Sequence, residues 1–300
     1  MRFYLYGTYI PSVQLLEVSR LAEELGFAGI TIPDHVVYPF ETKTPYPYAA
    51  DPETGRAPWD EHGEWLDPWA AAGAILAATE RLEVLTGIFV LPMRDPLLVA
   101  KGASTLGALF PGRFILGVGA GWLREEFEML GYDFDTRGPR SDEAIEVIRK
   151  LFTGERVSHE GRFFSFPDVA MQPAPDPPVR IYIGGDAPPA LRRAGRLGDG
   201  ILPPLSSQRK SADQIAAIQQ ARDEAGVTEP FDYVASAVAA RDADGVMELA
   251  DLGVSGVHVD PFQLYVRRFG GLSMDERRAA LQRYAAEVIE PVRERCAPPS

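Results

Sequence analysis

The sequence predicts a parallel α/β barrel of the TIM (β/α)8 type, and three observations favour this fold. Eight apolar runs of strand type alternate with segments of helical periodicity. Helix start signals stand between the runs. No change in composition marks a linker, and 300 residues is a length that α/β barrels use for one domain. We therefore expect residues 1–300 to form a single barrel domain; a doubly wound open sheet is the alternative.

The predicted strands are short, apolar runs that suit a sheet buried on both faces. In chain order they are 3–6, 29–32, 84–90, 114–118, 179–183, 200–202, 233–238 and 257–259. Because each run is separated from the next by a helical segment, we expect all eight strands to be parallel.

Amphipathic helices are predicted between the strands. Their apolar residues follow the spacing of one buried face, as in the sets Val18, Leu21, Ala22, Leu25 and Leu281, Tyr284, Ala285, Val288. Asp67 and Asp95 are each followed by proline. An aspartate N-cap with proline at the first helical position predicts a helix start at both places.

Two segments are longer than the usual connections. Residues 153–178 precede the fifth strand, and the run from Val157 to Phe166 predicts a β-hairpin there. Residues 36–66 follow the second strand and are rich in aromatic side chains. Barrel active sites lie at the C-terminal ends of strands, so this second segment is the better functional candidate. We expect Tyr46, Trp59 and Trp65 to form a lid over a partly apolar substrate; a small core beneath the loop is the alternative.

Composition and charge limit the partners of the protein. The apolar runs are too short to span a bilayer and the N-terminus lacks a signal peptide, so we expect a cytoplasmic protein without a membrane partner. A net charge of −13 argues against binding to nucleic acid. The single cysteine, Cys296, excludes an internal disulfide and a cysteine-built zinc site. A small organic molecule is the expected partner, and no metal is expected.

The residues just past the predicted strands are poor in reactive groups. No lysine is among them, so a Schiff-base aldolase has no obvious nucleophile. His35 is the strand-end histidine, and no histidine cluster indicates a metalloenzyme. A glycosidase could use Asp34 and Asp260, but nothing marks these two carboxylates for that role.

Glycine, in contrast, is plentiful at the strand ends. Residues 117–121 contain three glycines, and Gly184 and Gly185 follow the fifth strand. Glycine lets backbone amides approach a ligand closely, and the start of a helix favours a phosphate. This pattern is typical of a site for a large planar cofactor with an anionic tail; tight turns from strand to helix are the alternative. It is not the dinucleotide fingerprint, because Trp122 stands where the third glycine is required.

Several motifs together resemble the bacterial luciferase-like family, and within it the F420-dependent oxidoreductases. The motifs are Pro33-Asp34-His35, Leu85-Thr86-Gly87-Ile88, the run from Phe110 to Trp122, and Ile183-Gly184-Gly185-Asp186 followed by the run from Ala190 to Gly200. The resemblance extends over nearly the whole chain. It leaves the choice between the deazaflavin F420 and FMN open.

The resemblance implies a cofactor ring bound across the strand ends and a homodimer. The cofactor-binding residues that it implies are Asp34, Thr86, Gly87, Ile88, Gly117, Gly119, Ala120, Gly121, Trp122, Gly184, Gly185 and Asp186. The glycines around Gly119 would clear space for the ring. A non-proline cis peptide is implied between Gly87 and Ile88.

The resemblance further implies an oxidoreductase that transfers a hydride between reduced F420 and a partly apolar organic substrate. His35 and Asp34 are the implied catalytic residues, with His35 as proton donor because a free imidazole titrates near neutral pH. One alternative is an FMN-dependent monooxygenase that uses reduced flavin and O2. The others are a noncatalytic flavin- or F420-binding protein and a hydrolase barrel.

Overall fold

A computed structural model describes residues 1–49, 53, 55–204, 208–236, 240–268 and 270–296. Within these residues the strands are β1 (Arg2–Leu5), β2 (Gly29–Ile32), β3 (Glu83–Thr86), β4 (Phe89–Val90), β5 (Phe114–Gly119), β6 (Val157–Glu160), β7 (Ser165–Val169), β8 (Arg180–Gly184), β9 (Gly200–Leu202), β10 (Asp232–Ser236) and β11 (Gly256–Val259).

Helices alternate with these strands. They are α1 (Ser12–Glu24), α2 (Pro68–Ala78), α3 (Pro96–Leu109), α4 (Arg124–Met129), α5 (Arg137–Phe152), α6 (Pro188–Leu197), α7 (Gln208–Ala225), α8 (Ala243–Asp251), α9 (Pro261–Tyr265), α10 (Met274–Tyr284) and α11 (Glu290–Cys296). A π-helical turn, Ala285–Ile289, joins the last two helices. Both predicted N-caps are confirmed, because Asp67 accepts from the amides of Trp69 and Ala70, and Asp95 from that of Leu97.

The predicted TIM barrel is confirmed. Eight strands pair in parallel in the order β1, β2, β3, β5, β8, β9, β10 and β11, and pairing of β11 with β1 closes the ring. The predicted bounds of 29–32 and 200–202 are exact, and those of the other strands differ by at most two residues, except in the run 84–90. That run is interrupted at Gly87 and Ile88, so that β3 and β4 are separate strands that both pair with β5. Positions 237 and 238 of the predicted seventh strand lie outside the described residues.

Both predicted insertions are also confirmed. Residues 36–66 lie between β2 and α2, and β6 and β7 form an antiparallel hairpin between α5 and β8. No helix in the described ranges is long and apolar enough to cross a membrane.

The barrel interior is filled, and its N-terminal end is closed by polar side chains. Tyr4, Leu85, Ile115, Tyr182, Leu202 and Val234 form the interior core. At the N-terminal end the Tyr4 hydroxyl donates to Glu83 over 2.7 Å, and the Tyr182 hydroxyl donates to Asp232. Arg180 pairs with Glu83 as well. This layer leaves the C-terminal end, where the predicted site residues lie, as the open end of the barrel.

Gly117 is expected to be essential for the packing of β5 against β3. A Cβ atom at this position would lie 2.0 Å from the carbonyl oxygen of Thr86, whose side chain donates to the Gly117 carbonyl over 2.8 Å. Because backbone atoms cannot move aside cheaply, Gly117→Ala should lower the free energy of unfolding by about 1–3 kcal/mol. Urea unfolding would measure the loss.

Gly73 in α2 supplies the matched control for this substitution. A Cβ atom there would meet only the Leu106 side chain, at 3.9 Å. Gly73→Ala should therefore raise the free energy of unfolding by up to about 1 kcal/mol, because alanine is the better helix former. An unchanged unfolding midpoint for Gly117→Ala would contradict the packing role.

Candidate active site

The bulge between β3 and β4 places Ile88 at the barrel mouth. The Gly87–Ile88 peptide bond is cis, as the resemblance implies. A Cβ atom on Gly119 would lie 1.7 Å from Cδ1 of Ile88, and one on Gly184 would lie 2.4 Å from its Cγ2. The expectation that Gly119 clears space for the cofactor ring itself therefore needs correction. The two glycines make room for the Ile88 side chain, which occupies the space between β5 and β8.

The predicted cofactor residues divide into a buried and an accessible group. Buried are Asp34, Thr86, Gly117, Gly119 and Gly184, whereas half-buried at the mouth are Gly87, Ile88, Ala120, Gly121, Trp122, Gly185 and Asp186. Gly121 and Gly185 have φ values of +78° and +107°, which side-chain-bearing residues rarely adopt. The accessible residues follow the ends of β3, β5 and β8, which are neighbouring strands of the barrel. The buried residues belong to the same strand ends and to the end of β2.

Asp34 holds β4 in place beside the bulge. Its Oδ2 accepts from the Val90 amide over 2.8 Å, and its Oδ1 accepts from Arg94 Nη2 over 2.6 Å. Arg94 also donates to the Val90 carbonyl over 3.2 Å and lies 4.7 Å from the Phe89 ring centroid. Burial raises the pKa of Asp34, although the charge of Arg94 opposes this shift. Both carboxylate oxygens are engaged, which is the arrangement of a positioning residue.

His35 pairs with Glu126, a residue that the sequence analysis missed. Nδ1 of His35 lies 2.8 Å from Oε2 of Glu126, and Glu126 is only 1% exposed. Burial by itself raises the pKa of Glu126. The hydrogen bond and charge of His35, together with the amides of Val36 and Val37, outweigh burial and hold the pKa of Glu126 below its usual range. Glu126 is therefore a carboxylate at neutral pH.

The pairing fixes which nitrogen of His35 is available for chemistry. Because Nδ1 faces a carboxylate that can only accept, Nδ1 carries a proton. Nε2 has no hydrogen-bond partner in the described part of the chain and is left to take or give a proton. A local signal for Glu126 does exist, since Glu125 and Glu126 closely follow the glycines of the fourth predicted strand end.

The described residues between 36 and 66 fold across the mouth, and carboxylates that bind backbone amides attach them there. Oε1 of Glu126 accepts from the amides of Val36 and Val37 over 2.7 and 3.3 Å. Oε1 of Glu125 accepts from the amides of Lys43 and Thr44 over 2.6 and 3.1 Å. We call residues 36–66 the lid.

The far end of the lid is attached to the start of α1. There the Glu64 carboxylate accepts from the Ser12 amide over 2.8 Å. Two neighbouring glutamates of α4 and one glutamate of the lid itself thus hold this segment at both ends.

The three predicted lid residues come together with His35 and Trp122. The ring centroid of His35 lies 4.7 Å from that of Trp65, 5.4 Å from that of Trp59 and 6.1 Å from that of the Trp122 ring. Tyr46 lies 5.0 Å from Trp59 and 5.1 Å from Trp122. The His35 side chain is 11% exposed as a result. The rings form a cluster that limits the access of water to the imidazole.

The turn after β8 also lies close to the lid, because Asp186 of this turn neighbours Tyr48. Asp186 pairs with the ammonium group of Lys210. Burial and the neighbouring Asp186 carboxylate raise the pKa of Tyr48 to about 12. The chain then enters α6, whose first two residues are Pro188 and Pro189. This side of the mouth therefore brings a cation, a glycine turn and a tyrosine of the lid together.

An open cavity of about 460 Å³, most of whose lining residues are exposed, adjoins the aromatic cluster. It lies between Tyr9 and Pro11 after β1, Trp59 and Asp60 of the lid, and Gly270. The glycines of the cofactor turns do not line it. Trp59 thus lines the cavity and also lies against His35.

Comparison with known proteins adds a family to this geometry. A family model described as luciferase-like monooxygenase matches residues 6–290. An uncharacterised protein of Mycobacterium tuberculosis is 38% identical over 251 residues, which is 84% of each chain. The F420-dependent glucose-6-phosphate dehydrogenase of Microbacterium testaceum is 34% identical over 196 residues, 63% of this chain and 52% of that enzyme.

A solved structure shares the same fold. It is an F420-dependent secondary alcohol dehydrogenase in complex with an F420-acetone adduct, with a TM-score of 0.75 and 18% identity. The superposition covers 96% of this chain and 98% of that chain. At this identity the likeness shows the barrel and its connections.

Proposed function

The chain belongs to the luciferase-like monooxygenase family and is an oxidoreductase, and from this premise we propose that it uses coenzyme F420 to oxidise or reduce a small, partly apolar organic molecule. The observation that carries the proposal is the His35–Glu126 pair enclosed by lid aromatics, at the same end of the barrel as the half-buried bulge at Ile88. The 34% sequence identity to an F420-dependent glucose-6-phosphate dehydrogenase favours F420 as the cofactor.

The accessible residues at the mouth fit a planar ring with an anionic tail. Ile88 offers an apolar surface between two glycine-containing turns, and Trp122 follows the first of these turns in the chain. Gly121 and Gly185 allow the positive φ values that both turns adopt. Lys210, which is paired with Asp186, would have to exchange that carboxylate for a phosphate. Ile88, Trp122 and the two glycine turns would hold the ring, and Lys210 would hold the anionic tail.

The protein's part in the reaction is to move a proton and to exclude water. When bound, F420 supplies the hydride donor or acceptor. Nε2 of His35 takes a proton from a substrate hydroxyl during oxidation and returns it to a carbonyl oxygen during reduction. Glu126 keeps the proton on Nδ1 and stabilises the imidazolium that forms. Asp34 acts indirectly, because it fixes the strand that follows the bulge.

The rival cofactor is FMN, which the description of the matched family as monooxygenases favours. A flavin with N5 reacts with O2 in its reduced form, whereas the deazaflavin reacts poorly. A noncatalytic binding protein is less well supported, because the cavity beside Trp59 leaves room for a substrate.

Binding titrations with purified F420 and FMN test the proposed function. We expect saturable binding of F420 and its reduction by a substrate alcohol without consumption of O2. Ile88→Glu should weaken F420 binding by roughly tenfold or more, since it places a charge against an apolar ring surface. Leu109→Glu, at an exposed apolar position at the end of α3, should leave binding unchanged. Preferential FMN binding with O2 consumption would overturn the proposal.

The cytoplasmic location, the homodimer and the organisation of residues 1–300 as one domain stay predictions.

A further inference from the structure

We propose that the cavity beside Trp59 is the substrate chamber and that it selects against negative charge, so that cationic substrates bind best and anionic substrates worst. The inference rests on the proposed function, because it makes the cavity the place from which a substrate reaches His35 by moving past the Trp59 ring. It deepens that function by naming the electrostatic class of the substrate.

The position of the cavity favours this assignment. Its volume of about 460 Å³ falls within the range of small-molecule sites. Trp59 forms part of its wall, and the Trp59 ring centroid lies 5.4 Å from that of His35. A molecule that displaces or slides past this indole ring would reach the imidazole. The lid provides the wall, so that substrate contact and the enclosure of His35 depend on the same segment.

The walls of the chamber are apolar and rigid on two sides. Tyr9 and Trp59 present aromatic rings, and Pro11 and Pro58 restrict the backbone next to them. Aromatic faces attract apolar groups and also cations, because the ring quadrupole is negative above the plane. These walls therefore accept an apolar ring or chain and tolerate a positive charge on it.

The charges at the chamber are negative. Asp60 and Glu64 line it, together with His62, whose Nε2 lies 3.8 Å from the Glu61 carboxylate. None of the described lining residues is a lysine or an arginine. Hydrogen bonds from Ser12 hold the pKa of Glu64 below its usual range. Glu64 is therefore a carboxylate at neutral pH, and an anionic ligand would face acidic side chains in a described lining that holds no lysine or arginine.

Arg277 and Arg268 lie close to the chamber but are engaged by other partners, whereas Arg267, three residues before Gly270, is exposed. Arg277 donates to Gln14 and to the Tyr9 carbonyl and is 1% exposed. Arg268, two residues before Gly270, pairs with Glu276. These contacts keep the guanidinium groups from turning into the chamber.

Three cyclohexanols that differ only in charge provide the test. They are cyclohexanol, trans-4-aminocyclohexanol and trans-4-hydroxycyclohexanecarboxylate, measured by calorimetry at pH 8 with the F420-loaded protein and again without F420. We expect the amine to bind roughly fivefold or more tightly than the carboxylate, with cyclohexanol between them, since each partly exposed carboxylate contributes a modest attraction. Equal binding, a preference for the carboxylate, or no binding of any probe would overturn the inference.

Two neighbouring substitutions locate the effect. Asp60→Asn removes a charge that lines the chamber, and the amide oxygen can still accept from the His62 backbone as Asp60 Oδ1 does over 3.0 Å. Glu61→Gln removes an equal charge that does not line the chamber. Only Asp60→Asn should lower the ratio of the affinity for the amine to the affinity for the carboxylate, by about twofold or more. An equal change of this ratio in both variants would contradict the assignment. It would show that the preference comes from the overall negative charge of the protein surface and not from the lining of the chamber.

The outcomes separate this inference from the proposed function. If F420 neither binds nor turns over, the proposed function fails, while the probe measurements without F420 still report the charge preference. If F420 is bound and reduced but the carboxylate is the preferred probe, the proposed function stands and the chamber inference fails.

Discussion

Replacement of His35 with alanine is expected to lower kcat by roughly 100-fold or more, the loss expected when a general acid or base is removed. F420 binding should change little, because His35 faces Glu126 and the lid aromatics and is not one of the residues that surround Ile88. The physical reason is that Nε2 is the atom we assign to proton transfer, and the lid rings leave little water to replace it. Stopped-flow measurement of F420 reduction would follow the step.

A second histidine–glutamate pair in the chain gives a control with the same chemistry. Nε2 of His159 lies 3.3 Å from Oε1 of Glu143, between the β6–β7 hairpin and α5. His159→Ala removes a similarly buried imidazole and should leave kcat unchanged within about twofold, because it is not at the mouth. The proton-transfer role of His35 would be abandoned if His35→Ala also kept kcat within about twofold, far from the loss expected of a general acid.

Replacement of Arg94 with methionine is expected to lower the free energy of unfolding by about 3–5 kcal/mol at pH 7, because it leaves the buried carboxylate of Asp34 without its cation. The side chain of Asp34 is 1% exposed and that of Arg94 20%. Only the Val90 amide would remain as a donor to Asp34 among its described partners.

The loss should depend on pH in a definite direction. The pKa of Asp34 is raised in the folded protein, so folding favours the protonated form, and this contribution is lost as pH rises through the folded pKa. Removal of Arg94 raises the folded pKa further. Arg94→Met should therefore cost less stability at pH 4 than at pH 7, and a second substitution, Asp34→Asn, should restore part of the loss at pH 7.

Urea unfolding at both pH values would measure these differences. Arg156→Met breaks a comparable ion pair with Asp168 whose side chains are both exposed, so it should change stability little. A loss for Arg94→Met that is no larger than for Arg156→Met, or that does not vary with pH, would contradict the role of the Asp34–Arg94 pair.

The barrel could be predicted from the sequence because its strands are buried on both faces and therefore appear as continuous apolar runs. The same property hid the break between β3 and β4, since the run 84–90 contains no charged residue and no proline that would mark a break at Gly87 and Ile88. Only the resemblance to a family indicated that bulge.

The candidate site was predictable in place but not in its contacts. His35 could be found because it directly follows a strand. Its partner Glu126 lies 91 residues away, and Arg94 lies 60 residues from Asp34. No local pattern connects side chains at such separations. The glycines at the strand ends could also be found in the sequence, but only the structure shows that Ile88 fills the space next to Gly119.

The attachment of the lid has a consequence for how this protein could diversify. Glu125 and Glu126 bind backbone N–H groups, which every amino acid except proline provides. Side chains along 36–66 can accordingly mutate without detaching the segment from α4. Paralogues could acquire new specificities by drift in this one stretch while they inherit the redox machinery unaltered.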